Sequence, residues 1–120
     1  MAVTGPDFIA LQVRDLNRAA AFYEQQLGLI RAAVSPPHAV VFETEPAAFA
    51  VREPLPGVDL DSTTQPGLGV ALWLHCTNTQ ELHDALVAAE VTILAQPFVG
   101  PFGLTFTFAD LDGYAVTVHS

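Results

Sequence analysis

The chain carries one strand–helix pattern twice, and a repeat of that length constrains the fold more than any other feature of the sequence. In the first copy, "DFIALQVRDLNRAAAFYEQQLGL" (7–29), Ile9, Leu11 and Val13 alternate with Phe8, Ala10 and Gln12. That is the period of a strand with one face in a core. Asp15 can accept a backbone N–H at a helix start, Ala19, Phe22, Tyr23 and Leu27 recur at helical spacing, and Gly28 supplies the stop. The second copy, "GVALWLHCTNTQELHDALVAAEVTIL" (69–94), alternates Val70, Leu72, Leu74 and Cys76 with Ala71, Trp73 and His75. Asn78 is its candidate cap, with Glu81 three residues on as in a capping box, and Leu82, Leu86 and Ala89 form the apolar stripe.

Shorter strand-like runs follow each copy. They are "AVVFET" (39–44) and "AFAVRE" (48–53), then "LTFTFA" (104–109) and "YAVTVH" (114–119). The formula is β-α-β-β-β written twice, with the second strand of each copy the least marked. Strands of this kind need helices on one face of an antiparallel-rich sheet, an α+β arrangement. At 120 residues the chain fits one domain, 1–120, with module one over 6–53 and module two over 68–120. The stretch 54–67, "PLPGVDLDSTTQPG", reads as a linker rich in Pro, Gly and polar residues, or alternatively as a binding loop.

Charge narrows the partners. Four arginines, no lysine and thirteen acidic residues leave a formal net charge of −9. Nucleic acid and anionic membranes select clustered Lys and Arg, so neither is expected as a partner. A cationic small molecule or basic partner is electrostatically favoured, although surplus acid also serves solubility alone. The apolar stretches are too short to span a bilayer, and "MAVTGPDFIALQV" has no basic leader followed by an apolar run. The single cysteine, Cys76, cannot form an internal disulfide, so a cytoplasmic location and a small buried apolar role for Cys76 are expected.

Two segments carry a family likeness. "VRDLNRAAAFYEQQLGL" resembles the first-module signature of the vicinal oxygen chelate superfamily, the group of glyoxalases, bleomycin-resistance proteins and extradiol dioxygenases. "GPFGLTFTFADLDGY" resembles its closing segment, with Phe102, Leu111 and Tyr114 where Trp, Pro and Asn are usual. The resemblance implies two tandem βαβββ modules forming a curved sheet around a cavity, helices on the opposite face, and commonly a homodimer. By alternation, Phe8, Ala10 and Gln12 then face the cavity, as do Ala71, Trp73 and His75, and Ala115, Thr117 and His119.

Metal-dependent members hold a divalent cation with four side chains, two per module. In this sequence the resemblance sets Phe8, Ala71 and Thr117 at three of those positions, and Val51 or Arg52 near the fourth, with Glu53 the nearby carboxylate. Phe and Ala have no donor atom, Thr is a poor neutral ligand and Arg repels cations. No metal or other cofactor is therefore expected. A displaced site built on Gln12, His75 and His119 is the alternative, and it lacks a carboxylate. His119 otherwise reads as a frayed penultimate residue and His75 as a cavity wall, while His83 on a helix and His38 in a loop are expected in solvent. Nucleophilic catalysis finds no Gly-x-Ser-x-Gly elbow, Cys76 faces the helix side, and no phosphate-cradling glycine loop precedes a helix.

What is left is a cavity for binding, and the expectation leans away from an enzyme. Phe8 and Trp73 supply aromatic surface, Gln12, His75, Thr117 and His119 are sparse polar groups, and Phe98 and Phe102 stand near a mouth. An apolar pocket with a few convergent polar groups is a usual small-molecule site, and aromatic faces stack planar rings and attract cations. The expected function is metal-free binding of an apolar or cationic aromatic ligand, as in drug-sequestering bleomycin-resistance proteins. The alternative is a glyoxalase- or dioxygenase-like lyase or isomerase using an atypical metal site.

Overall fold

The computed structural model describes residues 2–120, an α+β chain with two α-helices and seven strands in two sheets. The chain divides into two compact units, the first ending at Ser62 and the second running Thr63–Ser120. The division falls inside the stretch 54–67. A short 3-10 helix, Leu60–Ser62, buries Leu60 in the first unit. Arg14 holds it there, donating from Nε to Asp61 Oδ1 at 2.7 Å and from Nη2 to the Leu60 carbonyl at 2.9 Å. Downstream, Gly67 takes φ +71 beside the Tyr114 ring, where a Cβ would come within 3.2 Å of a ring carbon.

In the first unit β1 (Phe8–Gln12) leads into α1 (Leu16–Gln25), then β2 (Ala39–Phe42) and β3 (Ala48–Arg52), in sheet order β1-β3-β2 with β1 parallel to β3. Asp15 caps α1 as expected, accepting the Arg18 N–H at 3.1 Å. Gly28, at φ +73, lets the Gly28 and Leu29 N–H groups reach back to the Glu24 and Tyr23 carbonyls. The core is aromatic: the Tyr23 ring lies 5.3 Å from Phe22, 5.1 Å from Phe49 and 6.4 Å from Phe42. The weakly marked second strand shrinks to a single bridge between Arg31 and Phe42, flanked by Ala32 N–H donating to Val41 O and Glu43 N–H to Ile30 O, each 2.8 Å. Pro36 and Pro37 follow closely and have no N–H for a longer ladder.

The second unit keeps all four strands: β4 (Leu72–His75), α2 (Thr79–Ala88), β5 (Ile93–Gly100), β6 (Gly103–Ala109) and β7 (Ala115–His119), in order β4-β7-β6-β5. Leu86 of α2 is buried, as are Phe106, Phe108, Val116 and Val118 of the sheet. Three expectations about α2 fail. Asn78 makes no cap bond, because its Oδ1 accepts the Cys76 S–H at 3.1 Å; Cys76 is accordingly half-buried and polar in contact. Ala89 is exposed and takes no part in the stripe. His83 is not solvated: its side chain is 11% exposed, packed edge-on against Phe106 at 5.3 Å. Among the described residues no helix is long and apolar enough to cross a membrane.

Candidate ligand-binding face

Strand alternation and register decide which side chains share a face. In the second unit Trp73 stands opposite Thr117 and His75 opposite His119 across β4 and β7, while Thr107 faces Thr117 and Thr105 faces His119 across β6 and β7. The intervening Val116, Val118, Phe106 and Phe108 are in the core with α2. The helix-free face is thus built by alternation: "LTFTFA" puts its phenylalanines in the core and its threonines on the other side of the sheet, where Thr105 is buried and Thr107 half-buried.

On that face three rings meet around His119. Its imidazole lies 5.8 Å from Trp73, 5.9 Å from His75 and 6.3 Å from Phe102, and Phe102 meets Trp73 edge-on at 5.7 Å. Phe102 reaches the group from the turn between β5 and β6. Trp73 and Phe102 remain 46% and 64% exposed, so half their apolar surface is still available for contact. Beneath them the Thr117 and Thr107 hydroxyls pair at 2.9 Å. His119 is not frayed: its carbonyl accepts the Cys76 N–H at 2.8 Å and its Nδ1 lies 3.0 Å from a main-chain oxygen of Ser120.

The fixed charges of the second unit are of one sign. All four arginines precede Ser62, so the second unit has no Lys or Arg and carries five acids, Glu81, Asp84, Glu90, Asp110 and Asp112. Away from the face, hydrogen bonds from His83 and then from Gln80 hold the Asp84 carboxyl below the usual carboxylate range. The other His83 nitrogen, Nε2, meets Gln96 Oε1 on β5 at 3.3 Å, tying the helix to the sheet edge.

Of the eight residues expected to bind a ligand, the structure brings Trp73, His75, Phe102, Thr117 and His119 onto one face. Phe98 lies on β5 opposite Thr105, its ring over Gly100, where a Cβ would come within 3.1 Å of it. Phe8 and Gln12 belong to the helix-free face of the first unit, in register with Ala48 and Arg52. There Phe8 is about half exposed, and Gln12 Oε1 accepts the Leu55 N–H at 2.8 Å. Thr107 escaped the sequence reading, although the alternation of "LTFTFA" carries the signal for it.

The donor positions implied by the family resemblance do not fit a metal. Phe8 and Ala71 present carbon only, and the Thr117 hydroxyl is engaged by Thr107. The register sets Ala50 in the first unit where Thr117 stands in the second, because Val13 N–H donates to Arg52 O just as Cys76 N–H donates to His119 O. Val51 points into the core, Arg52 Nε donates to the Glu53 carbonyl, and the Glu53 carboxylate pairs with His38 Nδ1 at 2.6 Å. Among the described residues no three His, Cys, Asp or Glu side chains converge on one point.

Comparison with known proteins gives the same architecture. A profile of the Glyoxalase/Bleomycin resistance protein/Dioxygenase superfamily matches residues 5–118. Among solved structures, TnmS3, an antibiotic binding protein from Streptomyces sp. CB03234, superposes with a TM-score of 0.75 at 21% identity, covering 99% of this chain and 97% of its own. A glyoxalase-related enzyme from Fulvimarina pelagi gives 0.74 at 24% identity, over 97% of this chain and 87% of its own. The fosfomycin resistance protein FosX from Listeria monocytogenes, complexed with manganese(II) and sulfate, gives 0.72 at 18% identity, over 98% and 90%. At these identities the likeness establishes the fold. No curated protein matches the chain.

Proposed function

The chain belongs to the glyoxalase/bleomycin resistance protein/dioxygenase superfamily, and from that premise we propose that it is a metal-free binding protein for an apolar or cationic aromatic compound. The observation that carries this reading is the half-exposed group of Trp73, Phe102 and His75 around His119, on a unit without Lys or Arg. Planar rings stack on such faces, and aromatic faces beside net negative charge favour cations over anions. The neighbour TnmS3, an antibiotic binding protein, supports small-molecule binding. The half-buried lone thiol of Cys76 suits the cytoplasm. Exposed apolar side chains such as Val34, Val70 and Val99 suit a homodimer, which light scattering after gel filtration would test.

Thermal melting with 9-aminoacridine, 2-naphthol and naphthalene-2-sulfonate tests the ligand class. A ligand of the native state at a hundred times its Kd adds about 2.7 kcal/mol of stability. The cation and the neutral ring should raise the midpoint and the sulfonate should not. A folded protein indifferent to all three, or one that prefers the sulfonate, overturns the reading.

One observation favours a second reading, a lyase or isomerase of the glyoxalase kind at an atypical metal site: the 5.9 Å separation of the His75 and His119 rings. Stoichiometric zinc or manganese that disappears in both His75→Ala and His119→Ala would establish it.

A further inference from the structure

The hydrogen-bonding character of the ligand can be read from one histidine, and this step rests on the binding reading above. Ser120 contributes a main-chain oxygen 3.0 Å from His119 Nδ1. Such an oxygen can only accept, so the proton lies on Nδ1; the neutral imidazole has one N–H, so its Nε2 then keeps a lone pair. That acceptor is held in place. The Ser120 N–H donates to the Leu104 carbonyl at 3.0 Å, and its hydroxyl lies 3.4 Å from the Thr79 hydroxyl at the start of α2. His119 itself is fixed in the β7 ladder between His75 and Thr105.

Among the described residues nothing uses the lone pair. Among the described residues His119 makes no second side-chain hydrogen bond, and its other neighbours are the rings of Trp73, His75 and Phe102. The second unit has no Lys or Arg that could supply a charged donor. A partly enclosed acceptor amid aromatic surface rewards a ligand that brings its own donor.

We propose that His119 Nε2 is the specificity-determining acceptor of this face, and that the ligand is a planar aromatic compound carrying an O–H or N–H donor at its edge, a phenol or an arylamine. The rings of Trp73 and Phe102 supply contact to any planar compound. His119 distinguishes the one with a donor from its methylated counterpart.

Calorimetric titration with 2-naphthol and 2-methoxynaphthalene reads this directly. One neutral hydrogen bond is worth up to about tenfold in affinity, so 2-naphthol should bind up to about tenfold more tightly although the ether is the more apolar compound. His119→Phe keeps a ring in place and should bring the two affinities together. Long-range proton–nitrogen NMR of the unliganded protein supplies a readout that does not depend on any variant folding: neutral His119 should carry its proton on Nδ1. If the ether binds as tightly as the phenol, or if the proton is on Nε2, the inference falls while the binding reading stands. If neither these compounds nor 9-aminoacridine binds the folded protein, the binding reading falls and takes this inference with it.

Discussion

The two units share a strand–helix frame, one strand shorter in the first, and put different chemistry on it. The bonds from Val13 N–H to Arg52 O and from Cys76 N–H to His119 O, both 2.8 Å, mark equivalent points at the ends of the paired parallel strands. Counting back from them, Gln12 corresponds to His75, Ala10 to Trp73, Ala50 to Thr117 and Arg52 to His119. The helix-facing positions barely change, with Val51 answering Val118 and aromatic rings filling both cores. The helix-free positions change completely, from two alanines, a glutamine and an arginine to an indole, two imidazoles and a threonine. Fold is therefore carried by one side of each sheet, and the capacity to distinguish ligands by the other.

The sharpest way to break that division is to cut both sides of the second unit. Phe106→Ala removes a fully buried ring beneath α2 and should lower stability by about 3–5 kcal/mol, as should Phe42→Ala in the first unit. Trp73→Ala, on the half-exposed face, should change it by less than about 1 kcal/mol. Urea unfolding compares all three. If Trp73→Ala costs as much as Phe106→Ala, the face is core and the division is wrong.

Affinity should show the reverse order. Trp73→Ala should weaken 9-aminoacridine binding by about 10- to 100-fold, the loss expected when a central aromatic anchor goes. Trp73 is the only tryptophan, so quenching of its fluorescence reports occupancy in the parent protein. Phe8→Ala, on the other unit, should stay within about twofold if the aromatic face acts alone. A comparable loss there would mean that the first unit's face binds ligand as well.

Alternation made most of this legible. Strict period-two runs such as "YAVTVH" settle which residues turn inward, so His75, Thr117 and His119 could be grouped before any coordinates. What escaped depended on contacts distant in sequence. His83 looks like a polar helix residue, yet Phe106 and Gln96, on strands following α2, bury it. The second strand of the first unit fades because "SPP" cannot extend the ladder, a local signal that the repeat masked. Phe98 and Phe102 share a loop region in the sequence, and only the register of β5 shows that Phe102 joins the rings while Phe98 lies over Gly100.

The helix starts offer a subtler contrast. Asp15 accepts a backbone N–H from α1, whereas Asn78, its counterpart, is turned to the Cys76 thiol. Asp15→Ala should therefore cost about 1 kcal/mol in urea unfolding, and Asn78→Ala only a few tenths, about the loss of a weak thiol contact. Equal costs would mean that Asn78 caps α2 in solution and that the two units begin their helices alike.

Carboxylates are held differently too, and this gives the smallest effect. The first unit pairs Asp61 with Arg14 and Glu24 with Arg31, through guanidinium groups that stay charged at every accessible pH. The second unit, lacking arginine, holds Asp84 through His83 and Gln80, which lowers the affinity of its carboxylate for a proton. A carboxyl that binds its proton less readily folded than unfolded stabilises the native state above the usual carboxylate range. That contribution is lost as the pH falls through the folded value. Asp84→Asn should therefore lower the melting temperature slightly at neutral pH, converge with the parent in acid, and flatten the parent's acid limb. Because Asp84 is largely exposed, the change should be small and shrink further in high salt. A variant whose melting curve parallels the parent's at every pH would show that the second unit has no such titratable clasp.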